Sequence, residues 1–268
     1  MGTRALGSRP WLVADEQRSA EMGLKAALSA HRHEEVFQAM AGTGDAGRET
    51  LELVTGELGI ALPGDTADLH PLDAAGRLVQ EDLCLLSTSP TGWLLVAGAV
   101  WFPSRWRLAD KMGLPLLDVH APVEGYRQDL ARRVDTLFDR LEDRIVRRRN
   151  WFVRSDPRLF QPDGLGGAAP VVAAPHCLGD LYLRSERQTL RRLPRSGLVL
   201  FTIRTQQLPL QYLLDDAARR EAFINFVDRA SPQLAERHGL SPGQRAEIKV
   251  ALAPGPKGRP KGVDDPVM

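Results

Sequence analysis

Two apolar runs, residues 83–86 and 93–102, flank the turn formers Ser89, Pro90, Thr91 and Gly92, and no other feature limits the fold of this chain so tightly. Apolar runs closed by Pro and Gly predict a hairpin of buried strands, so a sheet begins here. A second pair repeats the pattern, with a candidate strand over 180–187, a turn at 194–197 and a clear strand over 198–205. Between the two pairs the period changes. Tyr126, Leu130, Val134, Leu137, Phe138, Leu141 and Ile145 recur at steps of three and four, the stripe of an amphipathic helix. Upstream, apolar residues interleaved with charges predict one helix over 15–40, a break at Gly42, Gly44 and Gly47, and a second helix over 48–58. Residues 215–238 read as helix divided by Pro232. Residues 253–268, rich in Pro, Gly and Lys and without an apolar period, read as a disordered tail. Helices, hairpin, helix, hairpin, helices is the order of an α+β protein with an antiparallel sheet flanked by helices, not of alternating βαβ units.

With 268 residues, 43% of them hydrophobic and 26% charged, the chain is long enough to bury a substantial core. Residues 1–252 are expected to form a single domain. The net charge of +1 supplies no electrostatic excess to attract nucleic acid. The basic run Arg144, Arg147, Arg148, Arg149 and Arg154 adjoins Glu142 and Asp143 and reads as the solvated end of a helix. Two cysteines, Cys84 and Cys177, stand far apart without a ligand-like repeat, so neither a disulfide scaffold nor a Cys-rich zinc site is expected and a reducing cytoplasm is the natural setting. The first ten residues lack a signal-peptide core, and no apolar stretch is long enough to span a membrane.

Four groups of residues carry chemical interest. His120 closes the apolar run from Leu114 and stands two residues before Pro122, which restricts the backbone after it. Imidazole is a nitrogen ligand close to neutrality at physiological pH, so His120 reads either as a metal or haem ligand or as a hydrogen-bonded packing residue. In a strand, Arg184, Glu186 and Gln188 share one face while Ser185, Arg187 and Thr189 share the other. An inward Glu186 is placed to bind a cation or accept a proton; the plain alternative is an Arg and Glu lattice on an exposed sheet face. Gln80, Glu81 and Asp82 form an acidic cluster whose plain reading is an element end meeting solvent. Trp101, Phe102, Pro103, Ser104, Arg105 and Trp106 make an aromatic corner with one cation, suited to a carboxylate-bearing planar cofactor or simply to closing a core. Dinucleotide and nucleotide-phosphate loops, His-Glu-x-x-His, Cys-x-x-Cys-His and Gly-x-Ser-x-Gly are absent.

A succession of short blocks resembles a known family: Val79-Gln80-Glu81-Asp82-Leu83, Phe102-Pro103-Ser104-Arg105-Trp106, Asp110-Lys111-Met112-Gly113, His120-Ala121-Pro122-Val123, Arg149-Asn150-Trp151, Arg184-Ser185-Glu186-Arg187-Gln188-Thr189-Leu190 and Leu193-Pro194. In this order, over residues 11–214, they resemble the haem-dependent oxidative N-demethylases, specifically the haem-binding alpha subunit. The resemblance implies a PAS-like fold and a haem b enzyme that oxidises a small methylated amine such as dimethylamine with O₂, releasing formaldehyde. It implies electrons from a reductase partner using NADPH and FMN, and a folate-dependent subunit that accepts the formaldehyde. His120 would then be the proximal iron ligand. Glu186 would be the catalytic carboxylate that pairs with the substrate ammonium, and Arg187 and Arg105 would be the haem propionate partners. A haem-binding PAS-like sensor module without turnover is the alternative of a different class.

Overall fold

A computed structural model of the chain describes residues 3–62, 68–119, 136–141, 144–163, 178–214 and 216–252. Seven strands form one open sheet: β1 (Arg4–Ala5), β2 (Phe37–Ala39), β3 (Asp82–Ser89), β4 (Gly92–Ala99), β5 (Val146–Arg154), β6 (Tyr182–Arg192) and β7 (Val199–Pro209). Their spatial order is β1-β5-β6-β7-β3-β4-β2. Helices α1 (Arg18–His31), α2 (His33–Val36), α3 (Gly44–Leu58), α4 (Pro71–Gly76) and α5 (Leu116–Val119) fall before β5, and α6 (Ala217–Arg229), α7 (Pro232–Arg237) and α8 (Pro242–Leu252) follow β7. The architecture is the α+β class with an antiparallel sheet.

The first hairpin forms where the apolar runs predict it, with Ser89 opposite Gly92 across the Pro90-Thr91 turn. Its second strand ends at Ala99 rather than Phe102, because the Asp82 carboxylate takes the backbone N–H groups of Trp101 and Phe102 at 2.8 and 3.0 Å. Alternation along β3 splits the core in two. Leu83 and Leu85 join Val36, Leu51, Val54, Leu72 and Trp101 in one apolar cluster, while Cys84 and Leu86 join Trp93, Leu108, Phe138 and Leu141 in another.

The helix expected over 15–40 ends at His31, where Arg32 leaves helical geometry at φ −141°. Phe37–Ala39 instead pair with Ala97–Ala99 at the edge of β4, a long-range exchange of backbone bonds that helical spacing cannot reveal. The third helix begins at Gly44, so Gly44 and Gly47 belong to it rather than breaking the chain. At Gly47 a Cβ would stand 2.8 Å from the His70 ring, which itself caps α4 by accepting the Leu72 N–H. The basic run is the half-buried strand β5 and not a helix end, because its edges are occupied by β1 and β6. Of the amphipathic stripe, Tyr126, Leu130 and Val134 lie outside the described residues, and residues 136–139 are helical. The tail at 253–268 also lies outside the described residues.

Contacts divide the chain into two units. The larger comprises Met1–Trp151, Pro157–Val172 and Arg184–Gln207; the smaller comprises Phe152–Asp156, Ala173–Leu183 and Leu208–Met268. In the smaller, Asp216 and Ser231 cap α6 and α7 through the N–H groups of Arg219 and Leu234, and Pro232 opens α7 as its position in the sequence predicts. Arg245 ties α8 to α6 by donating to the Val227 and Ala230 carbonyls. No described helix is long and apolar enough to cross a membrane.

Candidate functional site

Strand β6 lies between β5 and β7, and its alternation is the one the sequence predicts: Arg184, Glu186 and Gln188 are buried while Ser185 and Arg187 are half-buried. Arg184 is wholly buried and donates to the Phe102, Pro103 and Leu159 carbonyls, to Gln207 Oε1 and, through Nε, to Ser104 Oγ at 2.8 Å. Those bonds seat the Phe102-Pro103-Ser104 segment over the strand. The Ser104 hydroxyl donates to Glu186 Oε1 at 2.5 Å, and Gln188 Nε2 donates to Glu186 Oε2 at 2.7 Å. Arg148 of β5 closes the row by donating to Gln188 Oε1.

Glu186 is 7% exposed, yet among the described residues no Lys or Arg lies within ion-pair distance of it. A buried carboxylate held only by neutral donors remains attractive to a cation. Arg105, next to Ser104, is in the left-handed region at φ +66°, and its N–H reaches the Gln161 carbonyl at 2.7 Å. Pro103 and Trp106 flank this pair and line a cleft with Glu34, Glu35, Arg107 and Pro162.

Arg187 stands on the opposite face of β6, donating to the Pro10 and Trp11 carbonyls. Burial depresses its pKa, with Arg149 and Arg147 adding repulsion and Glu81 opposing them. Arg147, on the same strand as Arg149 and paired with Arg4, keeps a buried Nε without a hydrogen-bond partner among the described residues. The structure thus brings Ser104 beside Glu186 and leaves Arg187 on the other face. His120 lies outside the described residues. Among the described histidines, His70 has both ring nitrogens engaged, with Leu72 N and Thr43 Oγ1, and His33 Nε2 contacts Asp73 at 2.7 Å. No group of three metal-ligating His, Cys, Asp or Glu side chains occurs among the described residues.

Gln80, Glu81 and Asp82 are each about 1% exposed, so they are core residues and not an element end meeting solvent. Lys25, equally buried, donates to the Gly76, Val79 and Glu81 carbonyls and stands 4.3 Å from the Trp101 ring centre. The cation over the aromatic corner is therefore Lys25. Arg204 pairs with Asp15 and Glu21 at 2.7 and 2.9 Å, and Glu81 accepts the Val13 N–H. Burial lowers the Lys25 pKa to about 8 against the pull of Asp82, Glu81 and Glu21. Burial likewise raises Asp82 to about 6 against Lys25 and the two backbone N–H groups. Every carboxylate here is matched by a donor, which marks a structural network.

The sequence does not reveal the two partners of Glu186, Ser104 and Gln188, nor Arg148, which bonds Gln188. Ser104 was visible as part of a block but not as a partner, since 82 positions separate it from Glu186. Gln188 was placed on the right face without a role. Arg148 was hidden when its segment read as helix, because only strand pairing sets it beside β6.

Residues 58–245, more than two thirds of the chain, match the model of the family described as haem-dependent oxidative N-demethylase, alpha subunit-like. The protein class is that of haem-dependent oxidoreductases. The chain belongs to this N-demethylase alpha-subunit-like family.

Proposed function

We propose that this protein binds haem b and oxidatively removes a methyl group from a small methylated amine, with Glu186 receiving the substrate ammonium. The observation that carries this reading is a nearly buried carboxylate with hydrogen bonds to both oxygens and no cation within ion-pair distance among the described residues. A protonated amine completes such a site, because its charge and N–H groups offset the desolvation of the carboxylate. Holding the nitrogen at Glu186 fixes where the methyl carbon points, which is the positioning that selective oxidation requires.

Arg105, which follows Ser104 in the chain, is the proposed propionate partner, since a guanidinium pairs well with a carboxylate. Arg187, on the other face with Arg147 and Arg149, offers a second cationic surface for carboxylates. His120 is the proposed proximal ligand. Haem b, when bound, supplies the electron transfer and O₂ chemistry. In the overall reaction O₂, two electrons and two protons convert the methylated amine to the amine shortened by one methyl group and formaldehyde, the second oxygen atom leaving as water. We assign the electrons to a reductase partner carrying FMN and using NADPH, and the formaldehyde to a folate-dependent subunit. The antiparallel sheet with helices beside it supports the PAS-like description.

Glu186→Gln is expected to keep the haem Soret band and to lower kcat/KM for dimethylamine by roughly 100-fold or more, since a neutral amide no longer attracts the ammonium. Unchanged turnover and affinity in a haem-loaded variant would refute the assignment of Glu186.

A further inference from the structure

The row Arg184, Ser104, Glu186, Gln188, Arg148 has guanidinium groups at both ends, and a guanidinium can only donate. This fixes the direction of every bond between them. Ser104 Oγ accepts from Arg184, so its single hydrogen goes to Glu186 Oε1. Gln188 Oε1 accepts from Arg148, so its NH₂ group faces Glu186 Oε2. Both oxygens of Glu186 therefore serve as acceptors, and each retains a second lone-pair direction. The arginines polarise the intervening donors from one residue away, without pairing directly with the carboxylate.

We infer that Ser104 and Gln188 are positioning residues that orient Glu186 and present it as a two-sided acceptor to a cationic ligand. The inference rests on the amine-binding role of Glu186 proposed above. It goes further in naming what sets that role: two neutral donors whose hydrogen directions are dictated by Arg184 and Arg148. Arg184 and Arg148 spend the Nε donors facing this row on Ser104 and Gln188. The backbone holds the hydroxyl in place too, since Ser104 bridges to Gln161 and the Arg105 N–H bonds the Gln161 carbonyl.

The test uses the full chain with haem as purified, and compares Ser104→Ala, Ser104→Thr and Gln188→Leu. The Glu186 carboxylate stretch is first identified by infrared difference as the band lost in Glu186→Gln. It should shift in Ser104→Ala and in Gln188→Leu, and return in Ser104→Thr, which restores the hydroxyl. With dimethylamine as the probe, KM should rise roughly ten-fold in Ser104→Ala while kcat stays within about two-fold, because the loss falls on binding. A folded Ser104→Ala protein with an unmoved band overturns the inference, as does a shifted band with unchanged KM. Should Ser104→Ala fail to fold, Gln188→Leu makes the same comparison at the other oxygen. The infrared readout requires neither turnover nor amine. Band shifts in the variants, together with a wild-type protein that oxidises no methylated amine, therefore refute the proposed function separately from the hydrogen-bond row.

Discussion

At the scale of single residues, the same kind of side chain does opposite work in two parts of the larger unit. Glu186 is buried beside neutral donors, whereas Glu81 and Asp82 are buried within a network containing Lys25 and Arg204. The second arrangement has a signature in pH. The Asp82 pKa is raised from 3.8 to about 6, so its contribution to stability is fully present below 3.8 and is lost as pH rises through 6. The Lys25 pKa falls from 10.5 to about 8, so its contribution is present above 10.5 and is lost as pH falls through 8. Urea unfolding should therefore show the wild type losing stability relative to Asp82→Asn between pH 4 and 6, on the order of 1 to 3 kcal/mol. A difference that stays flat across that interval contradicts the burial of a charged Asp82. Lys25→Met leaves three backbone carbonyls and a buried acid without their donor, and should cost about 3 to 5 kcal/mol in the same assay. The sequence identified Glu186 and its facing direction, because strand alternation is a local rule. It could not identify Ser104 as a partner, since nothing local links residue 104 to residue 186.

At the scale of elements, the strands that position the site were unequally legible. Strands β3, β4, β6 and β7 follow apolar runs punctuated by turn residues, and their hairpins appear where these signals stand. The sequences of β2 and β5 read as helix, because Phe37 and the arginine run carry no period-two pattern strong enough to oppose their neighbours. What makes them strands is the unpaired edge each one meets. In the smaller unit, Gly239, two residues past the end of α7, has φ +80°, and a Cβ there would stand 2.4 Å from the Val153 carbonyl oxygen. Gly239→Ala therefore meets both an unfavourable backbone conformation and fixed main chain. It should destabilise by about 1 to 3 kcal/mol, seen as faster amide hydrogen exchange over residues 217–252 than in wild type. Exchange rates equal to wild type would show that α7 tolerates a different ending.

At the scale of the whole molecule, haem should act as a stabilising ligand of the folded chain. Wild-type protein loaded with haem should melt at a higher temperature than haem-free protein, by an amount that grows with free haem concentration. His120→Ala should remove that increment and the Soret band together; an increment that survives the substitution places the iron ligand elsewhere. The α+β class and the order of most elements follow from the sequence, because they depend on the local period of apolar residues and on turn chemistry. The family blocks likewise lie in the sequence, and the family match over residues 58–245 covers all of them. Tertiary structure alone decided which polar residues are partners. It placed the acidic cluster at Gln80, Glu81 and Asp82 in the core and gave Arg187 the Pro10 and Trp11 carbonyls as partners. It also gathered Arg184, Ser104, Glu186, Gln188 and Arg148 into one row. The physical reason is that periodicity is set by each residue and its near neighbours, whereas hydrogen-bond pairing and desolvation are set by groups that only folding brings within 3 Å of one another.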